Sequence, residues 1–234
     1  SLKILKLIKT DFIKISSSEI NNLELLKEIG KNRKKVILST GMATMAEIKE
    51  AVNVLDLPEE KLILMHCISS YPTSFKDTNL GFIKVLKDNF KNKIGFSDHT
   101  ESFYASLIAI SLGAEIIEKH FTIDKRMSGG DHKFALNPSE LKLFVKLIKE
   151  TEISINQSNL NKRPQKEKEI MKISRKSICL LKDLKKGDKL QEKYLSIKRP
   201  GTGIQPKFKK NIIGKKILIN LKKDSVLQWK HIKK

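Results

Sequence analysis

Two hydrophobic periods alternate along the first 160 residues. Short runs rich in Ile, Val and Leu lie at Asp11–Ser16, Lys35–Thr40, Lys61–Cys67, Lys93–Ser97 and Glu115–His120. Their length and β-branched content predict strands. Between them, Met45–Leu55, Asn79–Asn89, Phe103–Leu112 and Ser139–Ile155 place apolar residues three and four apart, the helical period. Ala43-Thr44 and Asn137-Pro138-Ser139 stand where helices start, with the proline suited to a first turn. Strand starts recur about every 20–30 residues, the length of a βα unit, and parallel strands need a crossover helix.

A doubly wound open sheet and a (β/α)8 barrel share that pattern. No glycine-rich fingerprint follows any run, which counts against a dinucleotide fold. Polar residues gather where each run ends: Lys14, Ser17 and Glu19, then Ser39 and Thr40, Ser69 and Tyr71, Ser97 and His99, and finally His120. A barrel brings the C-terminal ends of all its strands to one face, whereas an open sheet does so only at its switch point. The expected fold class is α/β, with residues 1–156 forming about the last five units of a (β/α)8 TIM-type barrel. The first residues, SLKILKLIKT, lack an initiator Met and a cleavage pattern, as if the chain began inside a larger domain.

Beyond a polar linker at 157–170 the texture changes. Residues 171–234 carry short β-rich runs separated by turns, which predicts a small all-β domain. A module of that size has a marginal core and is expected to dock on another surface.

Composition narrows the function class. With 39% hydrophobic and 31% charged residues, the chain suits a soluble globular protein. No apolar run reaches the 18 or so residues of a membrane span. Cys67 and Cys179 match no metal or disulfide spacing and are expected to be reduced thiols in a cytoplasmic protein. The net charge of +21 is unevenly distributed: residues 162–234 hold 24 basic and 6 acidic side chains. That raises a polyanion partner, although scattered lysine pairs on a solvated surface explain it as well, and nucleic acid is not the expected partner.

The motifs KISSSEINN, ILSTGM, HCISSYPT, GFSDHT and IIEKHFT, in this order, resemble the sialic acid synthase family. DLKKGDKL and YLSIKRPGTGI resemble its antifreeze-like (SAF) domain. The resemblance runs from Asp11 to Val226. It implies condensation of phosphoenolpyruvate with an N-acetylated sugar, either N-acetylmannosamine or a diacetamido-hexose, to give a nonulosonic (sialic-type) acid and phosphate. It also implies a divalent metal, Mn2+ with Mg2+ or Co2+ as substitutes, and a domain-swapped homodimer whose SAF domains cap the partner's barrel.

Position by position, the resemblance makes His99 and His120 the metal ligands, and neutral imidazole suits Mn2+. It assigns Lys14, Ser17, Ser39, Ser69 and Ser97 to phosphoenolpyruvate, whose two anionic groups need a cation and short donors. Glu19 is the candidate for proton transfer, and Tyr71, Asp131 and Arg199 are the candidates for sugar contact. Pro200, Gly201 and Gly203 would shape the loop that presents Arg199. His66, within a strand, is expected to be packed, and His132, in a loop, stays outside the metal set.

Departures from the family pattern are Ser16 and Ser18 at positions usually Gly, Gly130 in place of proline, and Ala135 in place of serine. A family barrel would begin about a hundred residues earlier, with three more strands. The alternative expectation is an inactive remnant, or a scaffold that binds polyanions through the basic SAF domain.

Overall fold

The computed structural model describes residues 10–156 and 162–233. It comprises two compact units that separate between Gln157 and Ser158.

In the first unit, β1 (Phe12–Ile15), β2 (Lys35–Ser39), β3 (Leu62–Cys67), β4 (Lys93–Asp98) and β5 (Ile116–Lys119) form one parallel sheet. Its order is β1-β2-β3-β4-β5, so every strand pairs with the next along the chain. A doubly wound sheet reverses direction at a switch point. This one does not, which is the arrangement of an arc of a barrel. The helices between the strands are α1 (Leu23–Gly30), α2 (Met45–Leu55), α3 (Phe82–Asn89) and α4 (Tyr104–Ser111), and α5 (Pro138–Ile155) follows β5.

Strand alternation sorts the side chains into two populations. Ile13, Ile15, Val36, Leu38, Leu62, Leu64, Ile94 and Phe96 join Leu26, Ile29, Ile48, Ala51, Leu55, Ile83 and Leu86 of the helices in one buried cluster. The intervening positions, Lys14, Ser39, Cys67, Ser97 and Glu118, turn to the opposite face, as a period of two requires. The register places Cys67 beside Ser97 and Ser97 beside Glu118.

Helix starts follow the sequence signals. Thr44 accepts from the Glu47 amide while the Glu47 carboxylate accepts from the Thr44 amide at 2.7 Å, a complete capping box. Asn137 and Glu140 repeat it at α5, with Pro138 in the first turn. Helix α3 begins at Phe82 rather than Asn79, because Asn79 has a left-handed φ of 45°.

The second unit pairs β6 (Ser177–Leu180) with β7 (Leu195–Lys198) in antiparallel fashion, supplemented by bridges such as Cys179 to Val226 and Leu184 to Leu221. Its core is Ile178, Leu180, Leu184, Leu190, Leu195, Ile204, Ile212, Ile217, Leu227 and Ile232. Helix α6 (Gln165–Ser174) takes up residues 165–170 of the stretch expected to be a linker and the first residues of the expected β domain, and α7 (Lys209–Ile212) is one short turn. The Lys172 carbonyl of α6 accepts from the Gly201 amide at 2.7 Å, so this helix belongs with the β module. Residues 157–161 of the expected linker and residues 1–9 of the expected interrupted start lie outside the described residues. No helix among the described residues is long and apolar enough to cross a membrane.

Candidate active site

At the C-terminal end of the sheet the inner-face side chains enclose a cleft of about 220 Å³. It is lined by Lys14, Ser17, Ser39, Ser69, Tyr71, Ser97 and His99 of the predicted set. Cys67, Met42 and Glu118, outside the predicted site set, line it as well. A larger groove of about 710 Å³ beneath α5 is lined by residues such as Ile110, Ile117, Phe144, Val145 and Ile148, and includes none of the candidate residues.

Two hydrogen-bonded groups organise the cleft floor. Lys14 Nζ donates to Ser39 Oγ at 2.9 Å and lies 3.1 Å from Glu118 Oε2. The Ser97 hydroxyl donates to Glu118 Oε1 at 2.7 Å, so one carboxylate ties β1 to β4 and β5. Nearby, Ser17 Oγ accepts from the Gly41 amide at 3.1 Å and lies 3.2 Å from Cys67 Sγ. A Cβ at Gly41 would come within 2.6 Å of Ser69 Oγ and 2.8 Å of Ser17 Oγ. The glycine of the ILSTGM motif is what lets the backbone approach these hydroxyls.

The histidines stand side by side. His99 Nδ1 faces the Ile68 carbonyl at 2.8 Å, which fixes the proton on Nδ1 and leaves Nε2, 3.3 Å from Ser97 Oγ, as the acceptor nitrogen. His99 is 6% exposed. Burial, with the neighbouring His120, holds its pKa below the ordinary imidazole range, so the ring is neutral at pH 7. The ring centroids of His99 and His120 are 5.5 Å apart at an interplanar angle of 66°. Tyr71 lies over His99 with ring centroids 4.2 Å apart and meets the edge of His120 at 5.9 Å. Burial pushes the Tyr71 phenol upward from its usual range. Asp131 Oδ2 lies 3.7 Å from His120 Nδ1. Among the described residues, no group of three His, Cys, Asp or Glu side chains could hold a metal ion. Two adjacent imidazoles, one with its second nitrogen anchored on a carbonyl, nevertheless suit an ion that keeps positions open for other ligands.

Not every expected residue reaches the cleft. Glu19 is half-buried one position beyond Ser18, outside the cleft lining, and its carboxylate accepts from Asn22 Nδ2 at 2.8 Å. Arg199 lies in the second unit, where its Nε donates to the Ser174 carbonyl at 3.1 Å. Within that unit the Ser177 hydroxyl holds the Arg199 loop: it donates to the Pro200 carbonyl at 2.7 Å and accepts from the Gly203 amide at 2.8 Å. His66 is packed between Phe82 and Phe96, with Nε2 2.9 Å from the Thr78 carbonyl. His132 Nδ1 lies 2.7 Å from Thr122 Oγ1. Glu118 carried a signal that position-by-position resemblance passed over: it stands two residues before His120, which directly follows β5, hence on the same face.

Comparisons with known proteins identify the family. The NeuB family model matches residues 1–159, and the SAF domain model matches residues 175–233. An N,N'-diacetyllegionaminic acid synthase of Campylobacter jejuni is 42% identical over 231 residues, covering 97% of this chain and 69% of the relative. An enzyme of the same name from Legionella pneumophila is 36% identical, covering 94% of this chain and 63% of the relative. The crystal structure of an N-acetylneuraminic acid synthetase from Leptospira borgpetersenii, in complex with citrate, superposes with a TM-score of 0.66 at 36% identity. It covers 72% of this chain and 59% of the other. The chain therefore spans about two thirds of the length of the curated relatives it matches. By its barrel strands, its ordered motifs and these likenesses, the chain belongs to the NeuB family, whose relatives here are named as acid synthases, and it carries a SAF domain at its C-terminal end.

Proposed function

We propose that the cleft condenses phosphoenolpyruvate with a diacetamido-hexose of the legionaminic type, forming a nonulosonic acid and inorganic phosphate. The observation that carries this reading is the grouping of Lys14, Ser17, Ser39, Ser69 and Ser97 beside His99 in one cleft. One ammonium and several short hydroxyls suit a ligand with a phosphate and a carboxylate. The names of the Campylobacter and Legionella relatives support the diacetamido sugar over N-acetylmannosamine.

In this reading Lys14 and the serines orient the enol so that its methylene carbon faces the sugar aldehyde. The new carbon–carbon bond forms as the aldehyde oxygen gains a proton. Water then adds to the former enol carbon and loses its proton, and the carbon–oxygen bond to phosphate breaks. Glu118, which lines the cleft, is assigned the proton traffic in preference to Glu19, which does not. His99 and His120 would hold Mn2+, or Mg2+ or Co2+ in its place. When bound, the ion supplies Lewis-acid polarisation of the aldehyde. Tyr71 and Asp131 flank the histidines where the sugar would lie. Arg199 would reach the sugar from the SAF domain of a partner in a domain-swapped homodimer.

The test is phosphate release from phosphoenolpyruvate with Mn2+, comparing the diacetamido sugar with N-acetylmannosamine. Release at least tenfold faster with the diacetamido sugar supports the reading, and release with neither overturns it for this chain. A second reading, polyanion binding by the SAF unit, is favoured by a groove of about 470 Å³ lined by Lys168, Lys172, Arg175, Lys176 and Lys207. Salt-sensitive heparin binding by the chain, in the absence of phosphate release, would favour it.

A further inference from the structure

Asp98 and Lys119 are paired residues of the β4–β5 ladder, each one position before a histidine of the His99–His120 pair. Their side chains leave the sheet away from the cleft, since Ser97 and Glu118, one position earlier, meet within it. They are buried, at 0% and 4% exposure, with Nζ 3.0 Å from Oδ2. Every polar group of the pair is satisfied. Lys119 also donates to the carbonyls of Thr100 and Ser102, and Asp98 accepts from the Thr100 amide at 2.8 Å and the Ser106 hydroxyl at 2.6 Å. These bonds tie the ends of β4 and β5 to the turn after His99 and to the start of α4.

A buried ion pair is a poor source of stability, because apolar residues of similar volume often do as well or better. In some folds such a pair serves instead to set register. The hydrophobic pattern already forbids a one-residue slip, which would turn every side chain to the wrong face. A two-residue slip keeps each apolar residue on its own face, and only position-specific contacts forbid that. Such a slip would part Asp98 from Lys119 and His99 from His120 together. We propose that the Asp98–Lys119 pair is a positioning device: it sets the strand ends so that the His99 and His120 imidazoles face one another beside the cleft. The inference rests on the reading of those histidines as metal ligands.

The experiment uses the full chain and the double variant Asp98→Leu/Lys119→Met, which removes both charges at once. Three quantities are read: the thermal midpoint, the Mn2+ dissociation constant by calorimetry, and the NMR shifts of the His99 ring protons. Tyr71, at 4.2 Å, imposes a ring-current shift on those protons that depends on ring placement and not on metal. The expected result is a folded variant with Mn2+ binding weakened about 10–100-fold and the His99 ring protons moved. Unchanged Mn2+ binding and unchanged ring shifts in a folded variant would overturn the proposal. If the wild-type chain binds no Mn2+, the metal reading fails and the ring shifts alone decide the positioning role. If the double variant does not fold, Ser106→Ala decides, since it removes one bond to Asp98 and exposes no charge. Altered His99 shifts support the proposal, and shifts identical to wild type overturn it.

Discussion

The Lys14 ammonium and the Glu118 carboxylate lie 3.1 Å apart on the cleft floor, so the cation best placed for an anionic substrate already has a counter-ion. Phosphoenolpyruvate binding must share or displace that partner. Lys14→Met removes one charge-assisted contact, worth about 1.5–3 kcal/mol. The KM for phosphoenolpyruvate should rise about 10–150-fold while the sugar KM holds. Initial-rate kinetics with each substrate varied in turn check this, and an unchanged phosphoenolpyruvate KM would remove Lys14 from the site.

Two carboxylates compete for the proton-transfer role. Glu118 lines the cleft and Glu19 lies beyond its rim, held by Asn22. Glu118→Gln should lower kcat about 10²–10⁴-fold, and Glu19→Gln less than about tenfold. Measured kcat values in the opposite order would return the role to Glu19.

Gly41 is crowded by the hydroxyls of Ser17 and Ser69 and by the Cys67 sulfur, which lie 2.6–2.9 Å from the point a Cβ would occupy. Gly41→Ala must push these groups aside. We expect a folded protein whose phosphoenolpyruvate KM is raised at least tenfold, with the thermal midpoint lowered by a few degrees. Wild-type kinetics in this variant would show that the serine geometry is not critical.

Burial holds the pKa of His66 below its ordinary value, against the opposing pull of its hydrogen bond to Thr78. The unfolded chain therefore takes up a proton near pH 6.5 that the folded chain resists. Stability from this residue is complete above about pH 6.5 and is lost as pH falls through the lower folded value. His99 acts in the same direction. Urea midpoints at pH 7, 6 and 5 should fall, and the fall should be shallower in His66→Gln, which keeps an N–H but does not titrate. Identical slopes would refute the assignment.

Ser177 is fully buried, and its hydroxyl makes two of the bonds that hold the Arg199 loop. Ser177→Ala leaves the Pro200 carbonyl and the Gly203 amide without that partner, at a cost of about 1–3 kcal/mol. Hydrogen exchange of the Gly203 amide should accelerate accordingly. Unchanged protection would mean that another group holds the loop.

The barrel strands were legible because their outer faces carry unbroken apolar alternation, as in Val36 and Leu38 or Ile94 and Phe96. The helix starts were legible because Thr44 and Asn137 advertise their caps. Helix α6 escaped notice because half of QKEKEIMKIS is charged, and its Ile170 and Ile173 remain exposed. Glu118 and the Asp98–Lys119 pair escaped for a different reason. A charge at a strand end reads as solvated until the neighbouring strand supplies its partner, and that pairing is a matter of register that one strand's residues do not contain.

The separation of the two sheet faces bears on how such a protein can diversify. Along β1 to β4, the residues of the buried cluster and the cleft-lining Lys14, Ser39, Cys67 and Ser97 lie on opposite faces of the sheet. Substitutions on the cleft side can therefore accumulate there without eroding the core. At the ends of β4 and β5 that independence stops, because Asp98 and Lys119 stand on the structural side while fixing the chain that bears His99 and His120. On the proposed assignment, a change of acceptor sugar should thus fall on the loops that carry Tyr71 and Asp131, with the β4–β5 corner inherited as a block.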